Sequence, residues 1–338
     1  MDTGQQKIEP SRVPAKKLPG GDLIPMLGLG TFGSDKYSAD QIAKAVKYAV
    51  KIGYRHIDCA SVYQNEKEIG EAIQELLAEE VIKRKELWIT GKVWNNQHNE
   101  VAKACDQTLK DLQSDYLDLY LVHWPFPNYH APGCDGDARN PDSVPFRVSD
   151  FMETWRKMEA LKKAGKVRNI GSSNMTIAKL EAVLPLMEIK PVVNEMEIHP
   201  AFQQESLYNY LISHKILPIG YSPIGSPSRP ERDVTPEDAV DTEDPVIQNI
   251  SRRLHIHPAV ACIKWGVQRG NIVIPFSVKP EQIMANLKGV VENRISEQEM
   301  KDMKNAEKGS RLIKGQVFLW NGAQGWEDLW DLNGIITE

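Results

Sequence analysis

The sequence predicts an α/β protein, a (β/α)8 TIM barrel, and three observations carry that expectation. Eight short apolar segments of strand length recur along the chain, separated by segments of helical period. Residues able to do chemistry stand at the C-terminal ends of successive strand segments, the end on which barrel sites are built. The 338 residues suit one barrel with insertions. An N-terminal β-hairpin, long loops after the fourth and seventh strands and an aromatic C-terminal tail loop complete the expected architecture. All-parallel sheets are covered on both faces, so their strands read as apolar runs.

The elements follow in order. Residues 1–17 are polar and read as a flexible N-terminal segment, ahead of a single barrel domain over 18–338. Pro19-Gly20-Gly21-Asp22 is a turn between short apolar stretches, so a hairpin is expected over 18–25. Strands are expected at 26–32, 54–60, 87–94, 117–124, 167–173, 192–198, 216–221 and 271–277. A helix is expected over 39–51, with Ile42, Ala45, Val46 and Ala49 on one face, and others over 66–77, 101–112, 150–163 and 205–213. Gly53 and Gly165 stand where helix C-caps belong. Loops 128–145 and 225–244 have the length of lids or pocket walls. The tail from Gly309 carries Phe318, Trp320, Trp326 and Trp330, which either pack on the barrel or wall a pocket.

Composition narrows the partners. Charged residues make up 26% and hydrophobic residues 41%, with a net charge of -5 and no run of like charge. That excludes a nucleic-acid or anionic-membrane partner as the working expectation. No stretch approaches the roughly 20 apolar residues that span a bilayer. The start shows no apolar signal region, so a cytoplasmic location is expected. Cys59, Cys105, Cys134 and Cys262 have no metal-ligand or redox spacing. They read as plain thiols, and no metal is expected.

Gly28-Leu29-Gly30-Thr31-Phe32-Gly33 matches the G-x-G-x-x-G fingerprint, with Asp58 at the end of the next strand as a ribose ligand. In a Rossmann unit the helix opens at the third glycine and meets the pyrophosphate. Here the apolar period starts only near Ile42, and later strand ends would be left without work. The Rossmann reading is set aside.

The chemistry is organised around residues 54–66. Asp58 ends a strand, and Tyr63 follows in the next loop. A phenol of pKa about 10 needs help to donate a proton near neutrality. Lys92 stands inside an otherwise apolar strand, where an ammonium needs a partner. His123 ends the following strand. A barrel gathers all four at one rim. Asp58 is expected to neutralise Lys92, Lys92 to lower the Tyr63 pKa, and His123 to hold a carbonyl. Such a donor protonates an alkoxide as it forms, and hydride transfer is the matching reaction.

Six segments then combine: Gly53-Tyr54-Arg55-His56-Ile57-Asp58-Cys59-Ala60, Tyr63-Gln64-Asn65-Glu66, Lys92-Val93-Trp94, Leu121-Val122-His123-Trp124-Pro125, Gly171-Ser172-Ser173-Asn174 and Tyr221-Ser222-Pro223-Ile224-Gly225-Ser226. In these the chain resembles the aldo-keto reductase family, of the aldose and aldehyde reductase kind, from residue 18 to Asn286. The resemblance implies NAD(P)H-dependent reduction of aldehydes, ketones or aldoses to alcohols, with Tyr63 as general acid, Lys92 and Asp58 assisting, and His123 orienting the carbonyl. It puts Ser173, Asn174 and Glu195 at the carboxamide and Tyr221 against the nicotinamide ring. Ser222, Pro223, Ile224 and Ser226 line the pyrophosphate. Phe276, Ser277, Val278, Lys279, Gln282 and Asn286 surround the adenosine end, while Gly30, Thr31 and Phe32 complete the cofactor rim. Phe32, Val62, Trp94, His123 and Trp124 border the substrate. NADP(H) is the family default, and NAD(H) is expected to be usable also. The partner is a small carbonyl compound, and the protein a monomer or weak homodimer.

Departures from the family pattern are specific. Family members usually carry glutamine where this chain has Glu195. The aspartate and lysine that clamp the pyrophosphate are replaced by Ser228 and Phe276, and the arginine on the 2′-phosphate by Gln282. Lys279 is the nearby cation that stays. The competing reading is a non-catalytic cofactor-binding, structural or regulatory protein on the same barrel. The intact Asp58, Tyr63, Lys92 and His123 argue against it.

Overall fold

The computed structural model describes residues 6–33, 36–131, 134, 138–227, 229 and 234–337. A 3-10 turn, Pro10–Arg12, precedes an antiparallel hairpin of β1 (Ala15–Lys17) and β2 (Leu23–Pro25). Lys17 pairs with Leu23, so the Pro-Gly-Gly-Asp stretch is the turn and the first hairpin strand lies before residue 18. Ile8 is buried, and its amide donates to the Ile52 carbonyl at 2.8 Å. From Ile8 onward the segment expected to be loose is therefore docked on the barrel. Asp22 accepts from Arg168 at 2.7 Å and from Asn169 at 2.8 Å, so the hairpin covers the N-terminal mouth.

Eight strands form one parallel sheet in chain order: β3 (Leu29–Gly30), β4 (His56–Asp58), β5 (Trp88–Val93), β6 (Leu117–Val122), β7 (Val167–Ser173), β8 (Val193–Glu197), β9 (Leu217–Tyr221) and β10 (Ile272–Val273). The ends of that sheet meet. Leu27 bridges Val273 in parallel, the Val273 amide donates to Met26 O at 2.9 Å, and the Gly28 amide donates to Val273 O at 2.9 Å. The expected strands at 26–32 and 271–277 shorten to two residues each because the closing seam is held by a few bonds and not by a full ladder.

The seam also explains the glycine fingerprint. A Cβ on Gly28 would lie 2.8 Å from His56 Nδ1, one on Gly30 2.8 Å from Ile274 O, and one on Gly33 2.3 Å from a Phe276 ring carbon. These glycines let chain pack on chain where the barrel closes. Helix α1 (Ala39–Ile52) starts six residues beyond the fingerprint's end, capped by Ser38 in a reciprocal bond with Gln41 and stopped at Gly53.

The other helices are α2 (Glu66–Ala78), α3 (Val101–Asp111), α4 (Val148–Lys163), α5 (Ile177–Val183), α6 (Glu205–Ser213), α7 (Pro245–Leu254), α8 (Pro258–Arg269), α9 (Pro280–Val291) and α10 (Glu297–Asp302). Asp244, at the end of the long loop after β9, accepts from the Val246 amide and starts α7. Most apolar side chains join one core between barrel and helices. A second, separate cluster joins Trp124 and Phe126 to Val317, Phe318, Leu319, Trp320, Ala323, Leu329 and Trp330 of the tail.

The tail is also tied by charge. Lys179 on α5 holds Asp331 at 2.5 Å, with both side chains buried. Near β8, His199 lies 3.2 Å from Glu197 and 2.9 Å from Asp241. Glu197 accepts the tail amides of Leu312 at 2.8 Å and Ile313 at 3.1 Å, while Asp241 accepts the Ala201 amide at 3.0 Å.

Candidate active site

Asp58 ends β4, Lys92 lies on β5, and the registers put β4, β5 and β6 side by side. A 3-10 turn, Ser61–Tyr63, carries Tyr63 back over the rim. Thr31 and Asn65 fix that turn: Thr31 Oγ1 donates to Asp58 O at 2.8 Å, and Asn65 Nδ2 donates to Thr31 O at 2.9 Å.

Lys92 is the centre. Its ammonium donates to Asp58 Oδ1, to Cys59 O at 3.3 Å and to the Tyr63 phenol at 3.4 Å, and it lies 3.4 Å from Glu195 Oε1. Burial opposes the ammonium, but Asp58 and Glu195 outweigh it and hold the proton on well above the usual lysine range. His123 follows β6, with its ring 5.7 Å from that of Tyr63 in an edge contact. Burial, and then the Lys92 charge, depress its pKa strongly, so the imidazole is neutral near pH 7.

One expectation is corrected here. Tyr63 was to have its pKa lowered by Lys92, yet the phenol is held above its ordinary value. Burial is the larger effect, and the charges of Asp58 and Glu195 oppose the pull of Lys92. Tyr63 is therefore a protonated phenol near neutral pH.

The carboxamide set comes together next to this cluster. Ser173 pairs in register with Glu195, and the Asn174 amide donates to Glu195 O at 2.8 Å. Asn174, at φ 58°, donates from its side chain to His123 O at 3.0 Å and accepts from the Tyr221 phenol at 2.8 Å. Ser222 and Ser226 also have positive φ, around the tight bond from the Gly225 amide to Ser222 O at 2.9 Å. Pro223 is buried there, and Ile224 is half-buried against the core.

At the other end, Phe276 fills the notch at Gly33 and lies 5.8 Å from the Tyr37 ring, while Val278 packs on the core. Ser277 donates to Gln282 Oε1 at 2.7 Å and accepts the Lys279 amide at 3.0 Å. Lys279 and Gln282 are exposed, and Asn286 is buried on α9. Gly30 faces Ile274 and Thr31 is wholly buried, so both work here through the seam and the Tyr63 turn. Ser228 lies outside the described residues.

Aromatic rings surround the opening. Phe32, 50% exposed, lies 5.3 Å from Tyr63, Trp94 lies 5.0 Å from His123, and Val62 is half-buried beside them. Phe318 of the tail lies 5.9 Å from Trp94 and 4.6 Å from Trp124. Trp124 itself is buried beneath the tail, so the tail both packs and forms wall. Among the described residues no group of three or more His, Cys, Asp or Glu is placed to hold a metal ion.

Sequence reasoning assigned Glu195 to the cofactor alone and missed its contact with Lys92. The signal was available: Glu195 and Glu197 alternate on a barrel strand, so both share one face, and a buried carboxyl needs a cation. The Glu197, His199 and Asp241 group was missed as well.

Fold and site together define a (β/α)8 barrel protein with a buried lysine beside a phenol at its C-terminal rim. The comparisons with known proteins agree on the fold. The aldo/keto reductase family model matches residues 26–308. The chain is 41% identical over 297 residues to aldo-keto reductase family 1 member A1 of Xenopus tropicalis, covering 87% of this chain and 88% of that protein. It is 37% identical over 317 residues to an aldo/keto reductase of Synechocystis, covering 93% and 95%. Among solved structures it is similar to a Bombyx mori aldo-keto reductase in complex with NADP, with a TM-score of 0.79, 30% identity and 90% and 95% coverage. This chain belongs to the aldo/keto reductase family.

Proposed function

We propose that the chain is an NAD(P)H-dependent oxidoreductase that reduces aldehydes and ketones, aldoses included, to alcohols. The observation that carries the reading is the meeting of a protonated phenol, a charged lysine and a neutral imidazole at one rim: Lys92 is 3.4 Å from the Tyr63 oxygen, and the Tyr63 and His123 rings touch.

The residues present fit a nicotinamide cofactor. Ser173, Asn174 and Glu195 offer donors and an acceptor side by side, and Glu195 Oε2 is buried without a hydrogen bond from the described residues. When bound, the dihydronicotinamide supplies the hydride. Tyr63 gives its phenolic proton to the carbonyl oxygen as charge develops there. Lys92 stays charged and stabilises the phenolate that remains. His123 directs a ring nitrogen at the same oxygen and fixes its orientation. Phe32, Trp94 and Phe318 keep water from the reacting carbon. NADP(H) is the cofactor favoured by the Bombyx mori relative, and NAD(H) is usable because Phe276 and Gln282 replace cationic contacts. The partner is a small carbonyl compound, and the enzyme works as a monomer or weak homodimer. Cys59, Cys105, Cys134 and Cys262 stand outside any disulfide among the described residues, which suits a reducing compartment such as the cytoplasm.

The test is loss of NADPH absorbance when an aromatic aldehyde is added. Tyr63→Phe is expected to lower kcat about 10²–10⁴-fold, the usual worth of general acid catalysis, with NADPH affinity unchanged. A variant that keeps more than about a tenth of wild-type kcat, with chemistry limiting turnover, removes Tyr63 from the role.

A further inference from the structure

Strand β8 brings a second carboxyl to Lys92. Asp58 is 1% exposed, Glu195 2% and Lys92 0%. Two carboxyls and one ammonium would leave the cluster with a net negative charge if all three were ionised. Burial opposes that charge, and two carboxyls at one site cannot both ionise cheaply. Among the described residues, Asp58 Oδ2 and Glu195 Oε2 accept no hydrogen bond, and no backbone amide serves either carboxyl. Lys92 reaches both carboxyls, donating to Asp58 Oδ1 and lying 3.4 Å from Glu195 Oε1.

We propose that Glu195 holds a proton beside the Lys92–Asp58 ion pair, and that its loss turns the site from the reduced nicotinamide towards the oxidised one. The inference rests on the function proposed above. Glutamine offers one acceptor and a donor, and a protonated glutamate offers the same pair. An ionised glutamate offers acceptors only. The protonated glutamate is therefore matched to a neutral, reduced ring whose carboxamide needs both partners. The ionised glutamate sets a negative charge beside a ring that is cationic when oxidised, and the released proton goes to solvent. By linkage, binding of oxidised cofactor must then expel the proton, and binding of reduced cofactor must retain it.

The surroundings leave Glu195 to do the titrating at this cluster. Burial first, and then the Asp58 charge, push the Glu195 carboxyl up to about 8. Lys92 on β5 stays charged. Tyr63 from the turn after β4 and Tyr221 on β9 stay neutral, because burial raises both phenols. Glu197, two residues along β8, stays ionised against His199. The competing groups are His199, pushed up to about 9, and Glu66 at the start of α2, pushed up to about 7 chiefly by burial; neither is touched by Glu195→Gln.

The experiment measures Kd for NADPH and for NADP+ by tryptophan fluorescence quenching, from about pH 6 to 9.5, in wild type and in Glu195→Gln. The 2′-phosphate, whose second pKa is about 6, is common to both nucleotides and cancels in the ratio. In wild type the ratio of Kd(NADPH) to Kd(NADP+) is expected to rise about tenfold or more with pH, as for a charge pair at short range in a partly screened site. In Glu195→Gln the ratio is expected to stay flat, which separates the effect from His199 and Glu66. Calorimetry in two buffers of different ionisation enthalpy is expected to show proton release on NADP+ binding to wild type near pH 8, and none with the variant. Binding of both nucleotides with a pH-independent ratio and no proton release overturns the inference alone. A ratio that rises equally in Glu195→Gln overturns it too, by assigning the titration elsewhere. Failure to bind either nucleotide overturns the proposed function, and this inference with it.

Discussion

Two buried cations in this molecule each stand between two carboxyl groups, and two of the four carboxyls are neighbours on β8. Lys92 stands between Asp58 and Glu195, and His199 between Glu197 and Asp241. The His199 group has a second cation, Arg311, 3.9 Å from Glu197, and its hydrogen bonding differs as well. The His199 group takes the amides of Ala201, Leu312 and Ile313. Burial opposes the Glu197 charge, yet the bond from His199 and its neighbours prevail and its pKa falls. Burial likewise opposes the His199 charge, but bonds to Asp241 and Glu197 lift it to about 9. The Lys92 group has no such amides among the described residues, and there the Glu195 pKa rises. The bond from His199, the charges of His199 and Arg311 and, last, a backbone amide keep Glu197 ionised. The His199 group clasps the tail and the loop after β9 to the barrel, although Asp241 Oδ2 accepts no hydrogen bond among the described residues. The Lys92 group has one cation for its two carboxyls.

The largest effect expected from breaking this contrast is at Lys92. Lys92→Met removes the cation from the less satisfied group and is expected to lower kcat by at least about 10²-fold. It also strands Asp58 and Glu195, and losing one member of a buried pair costs about 3–5 kcal/mol. Because burial raises the Glu195 carboxyl so that it takes up a proton as pH falls, the deficit in Tm should be smaller at pH 6 than at pH 8.5. Adding Asp58→Asn should restore part of the stability. Equal melting temperatures for the single and double variants would deny a buried contact between the two.

The clasp should respond differently. His199→Gln leaves Glu197 and Asp241 buried without their histidine partner, at a cost of about 3 kcal/mol. Glu195→Gln, a near-isosteric change in the group without amide donors, should cost less than about 1 kcal/mol or stabilise. Urea unfolding at pH 7 compares them, and a reversed order would refute the contrast. The clasp also has a pH signature. A histidine whose folded pKa is raised stabilises fully below its unfolded value of 6.5, and that stabilisation is lost as pH rises through about 9. Between those values the wild type should lose on the order of 2–3 kcal/mol that His199→Gln does not lose.

The contrast also marks what the sequence could reveal. Strand and helix periods were legible because each is local, and Lys92 was legible because an ammonium within an apolar run has no local partner. Asp58, Tyr63 and His123 followed from the rule that barrel sites lie at strand C-terminal ends. The clasp was not legible: its members come from β8, from Asp241 and from the amides at 312 and 313, and no local pattern links them. Burial misled the reading of Tyr63, since the desolvation that raises its pKa comes from the closed fold, whereas the attraction of Lys92 could be anticipated from strand order. The glycine fingerprint shows the opposite error, a phosphate-binding pattern whose residues serve the barrel seam.

The far end of the rim shows a third treatment of charge, its removal. The family pattern leads one to expect a lysine where this chain has Phe276, and the ring there packs on Gly33 and near Tyr37. The expected arginine is Gln282, whose amide oxygen is taken by Ser277. Lys279 remains, exposed just before α9, whose N-terminus adds a modest attraction for an anion. A charge-assisted hydrogen bond is worth about 1.5–3 kcal/mol, and 1.4 kcal/mol is a factor of ten. Loss of two such contacts should leave NADPH preferred over NADH by less than about a hundredfold, with Lys279 supplying what preference remains. Phe276→Lys with Gln282→Arg should shift kcat/KM towards NADPH by about tenfold, a smaller gain than two ideal contacts because Lys279 already occupies part of the role and the Phe276 packing is lost. The measurement is kcat/KM for both cofactors with one good aldehyde, in wild type and in the double variant. A wild-type preference above about a hundredfold, or a double variant whose ratio does not move, would show that Lys279 and the α9 terminus hold the 2′-phosphate without the missing cations.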